Sequence, residues 1–141
     1  MRLPIPSWAQ RVRRNHALEH ATMHLLARRH PSLELVARSE LRGFYVYGDV
    51  ATDALAAAAS EGLRRLQAGE ANLAIHPRCG TNLAAAGILG GLASFTVMLK
   101  HERSPWDKLP QVLLASVAAV VLAQPLGLLL QQRVTTQADL Q

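Results

Sequence analysis

Two long runs without a charged residue occupy most of the carboxyl-terminal half of this 141-residue chain. The first covers residues 83–99 and the second covers residues 109–130. Each is close to the roughly 20 residues that cross the hydrocarbon core of a bilayer as a helix. The connector between them, residues 100–108, is polar and contains Trp106, a side chain suited to the membrane interface. The pattern predicts a transmembrane helical hairpin, with a buried hairpin in a soluble protein as the alternative.

Small residues in the first run predict a face for close helix packing. Gly87 and Gly91 are four residues apart, a spacing that favours helix–helix contact in membranes. A homo-oligomer through this face is therefore one expected partner, besides the lipid bilayer itself. In the second run, Pro125 predicts a kink or an early helix end. The tail, residues 134–141, is expected to be exposed.

Charge is concentrated in the other half of the chain. Residues 1–79 contain 11 Lys and Arg and 7 Asp and Glu, against 4 and 3 in residues 80–141. The arginines form small groups beside acidic residues, so we expect no nucleic-acid partner. No apolar signal segment follows the basic start, and a single cysteine fits a reducing compartment. We expect an integral protein of the inner (cytoplasmic) membrane, with the amino-terminal domain and the carboxyl terminus in the cytoplasm.

Residues 1–79 predict a small α+β domain that precedes the hairpin. Apolar periodicity, turn residues and helix-stop signals give the order α-β-β-α-β. Ser7 is the expected N-cap of the first helix. The predicted helices cover residues 8–29 and 52–67, and the predicted strands cover residues 33–38, 44–47 and 73–75. Residues 80–141 then form the hairpin and a short tail.

The first predicted helix carries a histidine motif, NHALEHATMH. His16 and His20 are four residues apart, so both imidazoles project from one helix face and can share a metal ion. With Glu19 they form the pattern His-x-x-Glu-His, the inverted-zincin signature. In that chemistry the histidines hold Zn²⁺ and the glutamate takes a proton from the metal-bound water. His24, one turn further, is a third ligand or a hydrogen-bond partner of one; a helix with unligated surface histidines is the alternative.

A second motif, HPRCGTN, begins at His76 and precedes the first apolar run. It places the His76 imidazole and the Cys79 thiol three residues apart in a turn that Pro77 and Gly80 shape. Imidazole and thiolate are both normal Zn²⁺ ligands. Together with His16 and His20 they are enough for a tetrahedral site. The alternative for Cys79 is a small buried residue, while Thr81 and Asn82 are expected to cap the following helix.

The two motifs, followed directly by apolar spans, resemble a family of small bacterial membrane proteins known only as a domain of unknown function. The resemblance covers nearly the whole chain, including RGFYVYGDV and QPLGLLLQQRVTT. The motifs are also similar to HGAEHK and HPRCGT elements of a second uncharacterised bacterial membrane family; His24 lies outside that match. The resemblance implies no established activity.

Two functions follow from the predicted site. The first is a membrane-anchored zinc-dependent hydrolase, a small metallopeptidase acting on a membrane-protein or peptide substrate, with Glu19 as general base. The second is a non-catalytic membrane adaptor whose structural or sensory zinc pins the first helix to the His76 loop. Coordination separates them, because three protein ligands leave a position for water and four close the site. Absence of any metal is the third possibility.

Overall fold

The computed structural model describes residues 5–99 and 104–140. Within them the chain contains four helices and two strands, in addition to short 3-10 and π-helical turns. The helices are α1 (Ser7–Arg29), α2 (Thr52–Gln67), α3 (Gly80–Met98) and α4 (Leu109–Leu130), and the strands are β1 (Val36–Glu40) and β2 (Gly43–Tyr47). The predicted mixture of helices with a small sheet is confirmed.

The chain divides into two compact units. The described residues of 1–76 and 131–141 form the first unit, and those of 77–130 form the second. In the first unit, α1 packs against α2 through small side chains, which lets the helix backbones approach closely. A Cβ atom placed on Gly62 of α2 would lie 3.1 Å from Cβ of Ala21 on α1. Gly62 is therefore the position that sets the spacing between these two helices.

The start of α1 differs by one residue from the prediction. Ser7 is the first helical residue rather than the N-cap, and no side chain caps this end. The Pro6 carbonyl accepts the hydrogen bond from the Gln10 amide instead, which draws Ser7 into the first turn. At the other end, the His30 amide still bonds to the Leu26 carbonyl before Pro31 ends the helix.

The sheet of the described residues is a two-stranded antiparallel hairpin, in which Val36 pairs with Tyr47 and Glu40 pairs with Gly43. The third strand predicted at residues 73–75 is wrong, because Ala71–Ala74 forms a 3-10 turn. Leu73 and Ala74 are consecutive and both buried, at 8% and 1% exposure. A strand would turn one of two consecutive side chains outward, whereas the tight turn buries both.

The tail, for which the sequence predicts exposure, instead contacts α1. Beyond α4 the chain forms a π-helical turn, Gln131–Thr135. The Arg13 guanidinium donates hydrogen bonds to the carbonyls of Arg133 and Thr136, and the Gln137 amide donates to the Arg13 carbonyl. A cation on these carbonyls stabilises the negative end of the helix dipole. Leu140 then packs against the core of the first unit.

The second unit contains α3 and α4, and each is long and apolar enough to cross a membrane. Only 6% of the most apolar window of the first helix and 11% of that of the second are buried within the protein. Core helices of soluble proteins are mostly buried, whereas most of these two apolar windows is exposed. Pro125 does not end α4, which continues to Leu130. Residues 100–103 of the predicted connector lie outside the described residues.

Contacts between α3 and α4 use a glycine that the sequence did not single out for packing. A Cβ atom on Gly127 would lie 3.0 Å from Cα of Asn82, and the Ser94 and Ser116 hydroxyls share a 2.8 Å hydrogen bond. In contrast, a Cβ atom on Gly87 or Gly91 would meet no described atom within 4 Å. The homo-oligomer contact through Gly87 and Gly91 stays a prediction.

We expect Gly62→Val to destabilise the first unit by about 1–3 kcal/mol, because the added side chain must push α1 away from α2. Ser60→Val is the matched control, since Ser60 is an exposed position of the same helix. Thermal unfolding of the full chain in detergent, followed by circular dichroism, measures both. Equal midpoints for the two variants would contradict the assigned helix contact.

Candidate metal centre

Four histidines of the first unit lie close together. Helical spacing places His16, His20 and His24 along one side of α1. The ring centroids of His16 and His20 are 4.3 Å apart. His76, which follows the buried turn at Ala71–Ala74, has its ring centroid 5.7 Å from that of His20 and 4.8 Å from that of His24. The structure therefore brings the histidines of both sequence motifs into one cluster.

His20 is the central member of this cluster. The residue is 2% exposed, and its Nδ1 lies 2.7 Å from the Ala74 carbonyl oxygen. A carbonyl only accepts hydrogen bonds, so Nδ1 carries the proton and Nε2 carries a lone pair. Among the described residues, nothing donates a hydrogen bond to this buried Nε2. An unpaired polar atom in the interior costs free energy unless a ligand satisfies it.

His16 is fixed in the same tautomer by a second backbone carbonyl. Its Nδ1 lies 3.0 Å from the Thr135 carbonyl oxygen, so Nδ1 donates and Nε2 has the lone pair. Metal-binding histidines commonly donate their other ring N–H to a carbonyl, which orients the ring. His24 uses the opposite nitrogen, because its Nε2 donates to the Ile75 carbonyl at 2.7 Å.

Cys79 is the thiol of the second motif and follows His76 by three residues. Thiolate is a normal Zn²⁺ ligand, as imidazole is. Cys79 is also the N-cap of α3, a role predicted for Thr81 and Asn82, because its Sγ accepts a 3.4 Å hydrogen bond from the Thr81 amide. A helix amino terminus stabilises negative charge, which suits a thiolate ligand.

The backbone of His76 is held by a side chain that the sequence analysis did not identify. Gln131 is 0% exposed, and its Oε1 accepts a 2.7 Å hydrogen bond from the His76 amide. Its Nε2 donates a 3.0 Å hydrogen bond to the His76 carbonyl. The only sequence signal for this contact is a pair of glutamines at the end of an apolar run, and such a pair is typical of an ordinary helix end.

Glu19, the predicted general base, is directed to the sheet. Glu19 is 7% exposed, and its carboxylate accepts a hydrogen bond from the Ser39 hydroxyl on β1. Nearby on α1, the Asn15 side chain donates a 2.7 Å hydrogen bond to the Glu40 carbonyl. In the structure, these two polar side chains join α1 to β1.

Some of the basic residues are neutralised locally. On α2, hydrogen bonds from Arg64 and Arg65 lower the pKa of the Glu61 carboxyl, and the bond to Glu61 raises the pKa of Arg65. Nη1 of Arg65 also lies 3.8 Å from Oε2 of Glu70. These pairs neutralise the positive charge of Arg64 and Arg65 locally.

Residues 11–141 match a family described as a domain of unknown function, DUF6391. The chain belongs to this family. It is 39% identical over 139 residues to an uncharacterized protein of a Picosynechococcus strain, a match that covers 92% of this chain and 67% of that relative. No solved structure matches the chain. The resemblance to an uncharacterised family is confirmed.

Proposed function

We propose that this chain is a membrane-associated zinc-binding protein whose buried metal ion joins α1 to the segment that carries His76. The lone pair on Nε2 of His20 carries the proposal, because that atom is buried and receives no hydrogen bond from the described residues. A cation would satisfy it. The donor set of imidazoles and one thiolate suits zinc better than the oxygen-seeking ions calcium and magnesium.

A structural or sensory role fits this environment better than catalysis. His20 is 2% exposed and Cys79 is 9% exposed, so bulk solvent has little access to these two groups. The core of the first unit consists largely of alanines and a few leucines. Such a core buries little apolar area, and metal binding would then contribute directly to the free energy of folding. His16, His20, His76 and Cys79 are the proposed ligands.

We further propose that α3 and α4 form an antiparallel transmembrane hairpin in the inner membrane. Asn82 near the start of α3 meets Gly127 near the end of α4, and Ser94 meets Ser116 closer to the turn. Residues on both sides of the hairpin belong to the same compact unit, which supports a common side of the membrane for them. The single cysteine of the sequence supports the cytoplasm as that side.

The hairpin predicts how the protein behaves during purification. We expect the full chain in the membrane fraction, resistant to extraction by high salt and released by a nonionic detergent. The reason is the large apolar surface that α3 and α4 expose. Recovery of folded, monodisperse protein from the soluble fraction without detergent would contradict the membrane assignment.

The zinc proposal predicts one metal ion per chain in purified protein. We expect His20→Ala to lower the zinc content to background, because it removes the central ligand. His30→Ala is the matched control, since His30 is exposed at the end of α1 and lies outside the cluster. Elemental analysis measures both variants, and circular dichroism checks that each is folded. Equal zinc content in His20→Ala and His30→Ala would refute the site.

A zinc-dependent hydrolase, a small metallopeptidase at the membrane surface, is the second candidate. The observation in its favour is the group of three histidines, His16, His20 and His76, because three protein ligands leave a fourth position open for water. The ring centroid of His20 lies 4.3 Å from that of His16 and 5.7 Å from that of His76. Glu19 lies in the same helical turn as His20, as in the inverted-zincin pattern. Against it, the Glu19 carboxylate accepts a hydrogen bond from Ser39 and lies against β1.

Glu19→Gln separates the two functions. A general base contributes about 10²–10⁴-fold to turnover, so a hydrolase would lose its activity in this variant and keep its zinc. For the non-catalytic zinc site we expect no zinc-dependent hydrolysis of a casein or peptide substrate by the wild type. We also expect Glu19→Gln to bind zinc normally. Chelator-sensitive hydrolysis by the wild type that disappears in Glu19→Gln would replace the non-catalytic role with the hydrolase.

A further inference from the structure

We infer that Gln131 is a positioning residue of the metal centre, which acts by fixing the backbone of His76. The inference rests on the proposed zinc site and adds to it a segment from the other end of the chain. Gln131 follows directly on α4, and 55 residues separate it from His76 in the sequence. It belongs to neither histidine motif.

The contact between Gln131 and His76 has two complementary hydrogen bonds. The side-chain amide of Gln131 accepts from the His76 N–H at 2.7 Å and donates to the His76 C=O at 3.0 Å. One planar side-chain amide thus binds both the N–H and the C=O of His76, as the backbone of a neighbouring β-strand would. Gln131 is 0% exposed, so water does not compete for these bonds. The His76 backbone consequently has little freedom to shift or rotate.

The π-helical turn that begins at Gln131 also contacts a second proposed ligand, His16. The Thr135 carbonyl accepts the hydrogen bond from Nδ1 of His16, and the Thr136 hydroxyl donates a 2.7 Å bond to the Gln131 carbonyl. The π-helical turn Gln131–Thr135 therefore orients His16 through a backbone group and His76 through a side chain. Short π-helical segments are frequent at functional sites, where they re-aim groups that a regular helix would misplace.

Positioning and plain stabilisation make different predictions for metal binding. If Gln131 only stabilised the fold, its loss would lower the unfolding temperature and leave the affinity of the folded protein for metal unchanged. If it positions His76, the ligand geometry itself changes. Loss of a group that orients a metal ligand weakens metal affinity by about 10–100-fold.

The test is a Co²⁺ titration of the full chain in detergent, because Co²⁺ reports the geometry of a zinc site through its visible absorption. We expect Gln131→Met, which keeps the length of the side chain and loses both hydrogen bonds, to bind Co²⁺ 10–100-fold more weakly. Its absorption bands should shift relative to the wild type. Gln132→Met is the matched control, since Gln132 is the exposed neighbour. Wild-type affinity and spectrum in a folded Gln131→Met would overturn the inference.

Gln131→Glu covers the case in which Gln131→Met does not fold. The carboxylate keeps the acceptor for the His76 N–H and loses the donor to the His76 C=O. We expect a smaller loss of Co²⁺ affinity than in Gln131→Met, with a shifted spectrum; unchanged binding would again overturn the inference. Absence of Co²⁺ and Zn²⁺ binding by the wild type would instead refute the proposed function, and the positioning role with it.

Discussion

The hydrogen bond from Nδ1 of His20 to the Ala74 carbonyl is the interaction on which the candidate metal centre depends. It fixes the tautomer of a fully enclosed imidazole and leaves its second nitrogen as a buried acceptor. It also joins the middle of α1 to the turn before His76, so the two histidine motifs meet. A hydrogen bond of this kind contributes about 1 kcal/mol by itself. Its larger consequence is that a buried lone pair stays unsatisfied unless a ligand binds to it.

The features of the fold that depend on local pattern could be predicted from the sequence. The alanine-rich pattern predicts a helix over residues 52–67, and α2 is Thr52–Gln67. The two uncharged runs correspond to α3 and α4, because a long apolar segment leaves few other structures open to the chain. The strand predicted at residues 73–75 is wrong because Leu73 and Ala74 are both buried, on two sides of the segment, and a three-residue pattern does not reveal this. Tertiary packing determines the 3-10 conformation of that segment.

The candidate site could be predicted only in part. Helical spacing placed His16 and His20 on one face, and the short His76 motif suggested a second source of ligands. No rule of spacing connects residue 131 with residue 76, so the contact between Gln131 and His76 could not be predicted from the sequence. The same applies to Thr135, which acts through a carbonyl that every residue type possesses. Glu19 matched a known pattern, yet its carboxylate joins α1 to β1 through Ser39.

X-ray absorption at the zinc K edge, on the full chain purified in detergent, tests the proposed metal centre most directly. We expect histidine nitrogens at about 2.0–2.1 Å from the metal and one sulfur at about 2.3 Å. Multiple-scattering features of imidazole should accompany the nitrogen shell. A protein that contains stoichiometric zinc surrounded only by oxygen, or that retains no zinc at all, would contradict it.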